Sequence, residues 1–195
     1  MPNNKLKEYQ LILASASPRR QQFFREMEID FTVHPIHVKE IYPDHLKGAE
    51  ISDYLAELKA SGYEKKLETK DILITSDTVV WHNNISLAKP ADLAEAFSML
   101  KTLSNDWHEV ITSVCFTTNQ QQRTVNQCTK VKFKELSVGE IEYYIQNYNP
   151  FDKAGGYGIQ DWIGLIAIEE IQGSYTNVVG LPTQLVYKTL MAMVG

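Results

Sequence analysis

Basic residues are in deficit. The 195-residue chain carries 19 Lys and Arg against 24 Asp and Glu, a formal net charge of −5. Sequence-independent binding to DNA or RNA needs a basic face, so no nucleic-acid partner is expected. A small anion held in a local basic pocket remains open. Cysteine is nearly absent. Cys115 and Cys128 are the only two and lack metal-ligand spacing, so they read as free thiols of a reducing compartment. Long apolar runs are missing too. No stretch approaches the ~20 residues of a membrane span, and the start, Met-Pro-Asn-Asn-Lys-Leu-Lys, has no apolar signal core. The chain therefore reads as soluble and cytoplasmic, with no membrane partner. It also lacks repeats, low-complexity segments and long linkers. At this length that leaves a single domain over residues 1–195, built as one body or two lobes.

What is present centres on residues 71–90. Ile72-Leu73-Ile74 is an apolar β-branched run, the mark of a buried strand. An ionised carboxylate is costly to bury unless it is paired or binds a metal. The strand is therefore expected to end before Ser76-Asp77-Thr78, with Asp77 where it leaves the core and opens onto a cleft. Asn83-Asn84 tolerate the left-handed region and would fold Ile85 to Leu87 back as a hairpin partner, bringing Lys89 near Asp77. Taken alone, the stretch reads equally as a capping Asp and a surface Lys.

The flanking segments shift that balance. Gln10 to Ala14 is a strand candidate. Ser17 is a good N-cap and Pro18 a good first helical residue, and the following helix turns Phe23, Phe24 and Met27 to one face. Arg19 and Arg20 in its first turn oppose the helix dipole. With the backbone N–H groups they would face a phosphate. Phe31 to Val33 is a short strand and His34 to Pro43 is irregular. His34, His37 and His45 lack metal-ligand spacing and read as surface residues. Ala49 to Ser61 is an amphipathic helix with Lys59 near its end, where a lysine usually satisfies terminal carbonyls. A helix opening at Pro90 runs to about Leu103. Asp106 to Thr118 and Gln127 to Phe133 are strands. Ser137 and Glu140 form a capping box. Three glycines lie in the loop Phe151-Asp152-Lys153-Ala154-Gly155-Gly156-Tyr157-Gly158-Ile159-Gln160. Glycines so close together are costly to order and suggest a backbone that approaches a ligand, flanked by Lys153 and Gln160. Ile163 to Ile171 reads as a buried strand, and Leu181-Pro182 opens the last helix.

In this order the blocks Leu13 to Arg20, Leu55 to Ala60, Ser76 to Val80, Lys89-Pro90, His108 to Thr112, Asp152 to Gln160 and Asn177 to Pro182 closely resemble the Maf (septum-formation inhibitor) family of nucleoside triphosphate pyrophosphatases. The resemblance covers essentially the whole chain. It implies an α/β fold of the inosine-triphosphate-pyrophosphatase kind: a long curved mixed sheet flanked by helices, with two lobes around a central cleft. It also implies hydrolysis of a nucleoside triphosphate to the monophosphate and pyrophosphate with a divalent cation, Mg or Mn, and allows a homodimer.

Residue by residue, the family's catalytic base matches Asp77, its phosphate-binding cations match Arg20, Lys59 and Lys89, and its cleft carboxylate matches Glu40. Lys39 stands where the family commonly has Asp, which leaves Glu40 as the only acid there; Glu40 and Asp77 are the candidate metal ligands. Ser17 and Lys153 complete the expected substrate contacts. The branch that hydrolyses dTTP and UTP has Arg, Thr and Gln where this chain has Arg19, Thr78 and Gln160. The 7-methyl-GTP branch has Trp, Gln and Glu there. Whether Asp77 serves mainly as base or as metal ligand stays open. A non-catalytic nucleotide-binding regulator of cell division is the competing reading, and a pure binder needs no carboxylate in an anion site.

Overall fold

A computed structural model describes residues 4–195 and shows an α/β chain around a seven-stranded mixed sheet. The sheet order is β2-β1-β3-β5-β6-β7, with β4 paired to β3. The chain divides into two compact units. One comprises Met1–Asp77, Thr112–Gln127 and Gly180–Gly195; the other comprises Thr78–Ile111 and Cys128–Val179. The long strands β3 (Asp71–His82), β5 (Trp107–Thr117) and β6 (Gln122–Phe133) contribute residues to both.

In the first unit, β1 (Gln10–Leu13) runs parallel to β2 (Thr32–Val33) and β3, with Leu11 opposite Ile72 and Leu13 opposite Ile74. Alternation sends these four side chains to one face, against Phe24 of α1 (Pro18–Glu26) and Val186 and Leu190 of α7 (Thr183–Met193). Ile12 and Leu73 face the other way, onto Ala56 and Ala60 of α2 (Ala49–Ser61). Helices therefore cover both faces, which is why these strands read as continuous apolar runs.

The expected end of β3 before Ser76 is overturned. The strand continues through Thr75, Ser76 and Asp77, all buried, to His82. Partners make this tolerable: the Thr75 hydroxyl donates to the Ala56 carbonyl oxygen at 2.7 Å, and Asp77 meets the Lys59 ammonium. A paired carboxylate does not need to leave a strand for water.

In the second unit, Asn83 and Asn84 sit at φ 48° and 63° and close the two-residue hairpin from β3 into β4 (Ile85–Leu87), as expected. Helix α3 (Leu93–Leu103) starts later than Pro90, because Asp92 caps it through Glu95 N at 2.9 Å. The Ser137–Glu140 capping box opens α4 (Val138–Tyr148). Strand β6 begins at Gln122 rather than Gln127; its outer half is mostly exposed and carries no apolar alternation to read.

The single strand expected over Ile163 to Ile171 is also overturned. The segment divides into α5 (Trp162–Ala167) and β7 (Ile168–Gln172), an antiparallel partner of β6, followed by α6 (Tyr175–Val179). Ile163 and Ala167 are buried four residues apart, the helical period. Gly164 permits the turn: a Cβ there would lie 1.8 Å from the Ile159 carbonyl oxygen.

His108 is buried in this unit's core, edge-on to Phe133 and Tyr157, with Nε2 2.7 Å from the Tyr157 hydroxyl. Burial pushes its pKa down to about 3. Between pH 3 and the ordinary histidine value near 6.5, the unfolded chain binds a proton that the folded chain refuses. Stability from this group is complete above ~6.5 and is lost as pH falls, by up to ~1.4 kcal/mol per pH unit. Urea midpoints at pH 7.5 and 5.0 should show the decline, and His108→Asn should flatten it. Equal slopes in the two proteins would assign the acid sensitivity elsewhere.

Candidate active site

Helix α1 supplies the first cationic group. Ser17 caps it, its Oγ accepting from Arg20 N at 3.5 Å, and Pro18 opens it. No acid occupies the first turn, and Arg19 and Arg20 stand there at the positive end of the helix. Arg20 folds back on the sheet. Its Nε donates to the Gly180 carbonyl oxygen at 2.9 Å and its Nη1 to the Ser76 carbonyl oxygen at 2.8 Å. Burial lowers its pKa, against the pull of the nearby Asp77 carboxylate. The fixed fork of a guanidinium suits this double anchorage.

Helix α2 supplies the second. Lys59 does not cap its helix as the sequence suggested. Its ammonium lies 2.5 Å from Asp77 Oδ1 and 2.9 Å from Glu40 Oε1, and its side chain is largely buried. Burial raises the Asp77 pKa, Lys59 and Arg20 oppose that, and Glu40 adds to it. Arg20, Lys59, Glu40 and Asp77 thus form one cluster whose four formal charges cancel. The Ser76 hydroxyl, buried beside it in sequence, has no hydrogen-bond partner.

The second unit holds the remaining expected residues. Thr78 follows Asp77 on β3 and is half-buried. Lys89 follows Ala88, whose carbonyl oxygen accepts from Gly155 N at 3.1 Å. Lys153 lies 2.9 Å from Asp152 Oδ1 and 3.7 Å from Asp161 Oδ2. Gln160 is exposed on a turn closed by Asp161 N donating to the Gly158 carbonyl oxygen at 3.0 Å. The glycines here serve packing of the chain on itself. Gly155, at φ 71°, would place a Cβ 3.0 Å from Val80, and the segment folds as tight helical turns.

The predicted residues therefore fall in two groups, each within one unit. Among the described residues no cluster of three or more His, Cys, Asp or Glu could hold a metal, and His34 packs edge-on against Tyr63 at 5.2 Å. Both cysteines are free, Cys115 buried and Cys128 exposed. No helix among the described residues is long and apolar enough to cross a membrane. Sequence reasoning missed Tyr144, Asp161 and the Gly180 carbonyl. Tyr144 reads as an ordinary inward helix residue, and Asp161 precedes a segment that reads as a strand, where it has no role to suggest.

Comparison with known proteins reaches the whole chain. The family model described as "Maf-like protein" matches residues 10–193. A Flavobacterium johnsoniae protein named dTTP/UTP pyrophosphatase is 54% identical over 194 residues, covering 100% of both chains. The protein of that name from Flavobacterium psychrophilum is 53% identical, covering 98% of each. One from Bacteroides fragilis is 44% identical, covering 95% of this chain and 96% of its own. Among solved structures, the Staphylococcus aureus Ham1 protein aligns over 92% of this chain and 99% of its own, at 14% identity and a TM-score of 0.45.

Proposed function

The chain belongs to the Maf family, and from that premise we propose that it is a nucleoside triphosphate pyrophosphatase cleaving dTTP and UTP to the monophosphate and pyrophosphate. The observation that carries the reading is the Lys59 ammonium set between the Asp77 and Glu40 carboxylates, with Arg20 bearing on Asp77. A site that only bound an anion would not hold two carboxylates around its lysine. Asp77 orients and deprotonates the attacking water, a role open to a carboxylate whose pKa burial has raised above its ordinary value. The water oxygen bonds to the α-phosphorus, the bond to the bridging oxygen breaks, and pyrophosphate leaves. Arg19, Arg20, Lys59, Lys89 and Lys153 take the phosphate oxygens, with the Ser17 end of α1 offering backbone N–H groups. Thr78 and Gln160 take the base. The whole chain acts as one domain.

The residues fit a divalent cation, Mg or Mn. Hard cations of this kind take one or two carboxylates and leave the other positions to water and substrate phosphates. Glu40 and Asp77 are such a pair, and they already share one cation, the Lys59 ammonium. When bound, the metal would offset the repulsion between carboxylates and triphosphate in a cluster whose own charges cancel.

With UTP as substrate, the first products should be UMP and pyrophosphate. Chromatography of the early reaction mixture checks this, and UDP with orthophosphate would overturn the bond assignment.

A further inference from the structure

The turn Gly158-Ile159-Gln160-Asp161 is held at both ends by one side chain from another element. The hydroxyl of Tyr144, a fully buried residue of α4, accepts from Gly158 N at 3.0 Å and donates to Asp161 Oδ2 at 2.7 Å. The same turn is closed by its own backbone bond, Asp161 N to the Gly158 carbonyl oxygen. Asp161 stands at the N-cap of α5, where an aspartate ordinarily accepts from the helix's first N–H groups. Here its side chain makes no capping bond. It faces Tyr144 and Lys153 instead. A carboxylate diverted from a ready-made cap serves the turn rather than the helix. Burial and the Asp161 charge push the Tyr144 phenol well above its ordinary pKa, so it stays a donor throughout the working range. Upstream, the Tyr157 hydroxyl on His108 and Gly155 N on the Ala88 carbonyl oxygen fix the loop's entry.

We propose that Tyr144 is a positioning residue for base recognition: its hydroxyl clasps both ends of the turn and so fixes Gln160, whose amide meets the pyrimidine. Tyr144 touches no substrate and acts through the turn. The proposal rests on the assignment of Gln160 to the base. Without the hydroxyl, Gly158 N loses its partner and the Asp161 carboxylate is free to move to the α5 cap or wholly to Lys153. Gln160 then samples several positions. A donor–acceptor pair that wanders binds the correct base less well.

The test is the ratio of kcat/KM for UTP to that for ATP in wild type and in Tyr144→Phe, with the melting temperature read alongside. The ring stays and only the hydroxyl goes. The ratio should fall ~10-fold, as expected for one lost hydrogen bond to a charged acceptor. The loss should lie in KM for UTP, with kcat and the slow ATP rate nearly unchanged. In a Gln160→Ala background the second substitution should leave the ratio where Gln160→Ala put it, since it acts through that residue. Asp161→Ala removes the clasp from its other end and should reproduce the fall if Tyr144→Phe does not fold. A folded Tyr144→Phe that keeps the wild-type ratio, or loses kcat equally on both substrates, overturns the proposal. A wild type that shows no UTP preference overturns the assignment of Gln160 itself, a separate outcome.

Discussion

Asp77→Asn should lower kcat for UTP by ~10²–10⁴-fold, the usual contribution of a general base, while leaving the protein folded. The asparagine is nearly isosteric. Its Oδ1 can still accept from Lys59, so the buried ammonium keeps a partner at the position where Asp77 Oδ1 lies at 2.5 Å and keeps Glu40 at 2.9 Å. What the variant loses is the negative charge that takes the water's proton. The cluster of Arg20, Lys59, Glu40 and Asp77 goes from neutral to one net positive charge, which favours a triphosphate. KM should hold or fall as kcat drops. Burial raises the Asp77 pKa above the ordinary aspartate value near 4. Because the base must be ionised, kcat/KM of the wild type should fall as pH drops through that raised value. The residual rate of the variant should not follow that limb. Matched circular dichroism, with kcat unchanged in protein free of wild type, would remove Asp77 from the chemistry.

Three charged groups were legible because their positions break local rules. Arg19 and Arg20 oppose a helix dipole, and Asp77 follows an apolar run that should reject it. The structure meets both anomalies with partners distant in sequence. Arg20 bonds to the backbone at Ser76 and Gly180, and Asp77 pairs with Lys59 from α2. Those pairings were not legible, so β3 was expected to stop where it continues. The same limit explains Lys59, whose place near a helix end has an ordinary local reading that a carboxylate 18 residues away overrides. The Ile163 to Ile171 segment failed for another reason. A short run of Ile, Leu and Ala fits a buried strand or a helix, and the deciding contact, Gly164 on the Ile159 carbonyl, is tertiary. Tyr144 carried no signal, because helical spacing reports which face a residue occupies and is silent on its hydroxyl.

Gln160→Glu should cut kcat/KM for UTP by ~10³–10⁴-fold, the penalty when a polar site meets a base that leaves its groups unpaired, and should affect 7-methyl-GTP far less. Uracil and thymine present one N–H between two carbonyl oxygens. A glutamine amide offers both donors and an acceptor to that edge. An ionised glutamate accepts only and repels the carbonyl oxygens, yet it suits a base carrying positive charge and N–H donors, as 7-methylguanine does. The structure makes the substitution a clean probe. Gln160 is exposed, and the turn beneath it is held by backbone bonds and by the Tyr144 hydroxyl, none of which uses the Gln160 side chain. The fold and the phosphate contacts should therefore survive, and the melting temperature should stay within a few degrees of wild type. The added charge lies next in sequence to Asp161, so the loss should ease at higher salt only as far as screening between exposed charges allows. Measuring both substrates on both proteins decides the matter. Equal losses on UTP and 7-methyl-GTP would mean that the new carboxylate acts on the triphosphate common to both, and that Gln160 does not read the base.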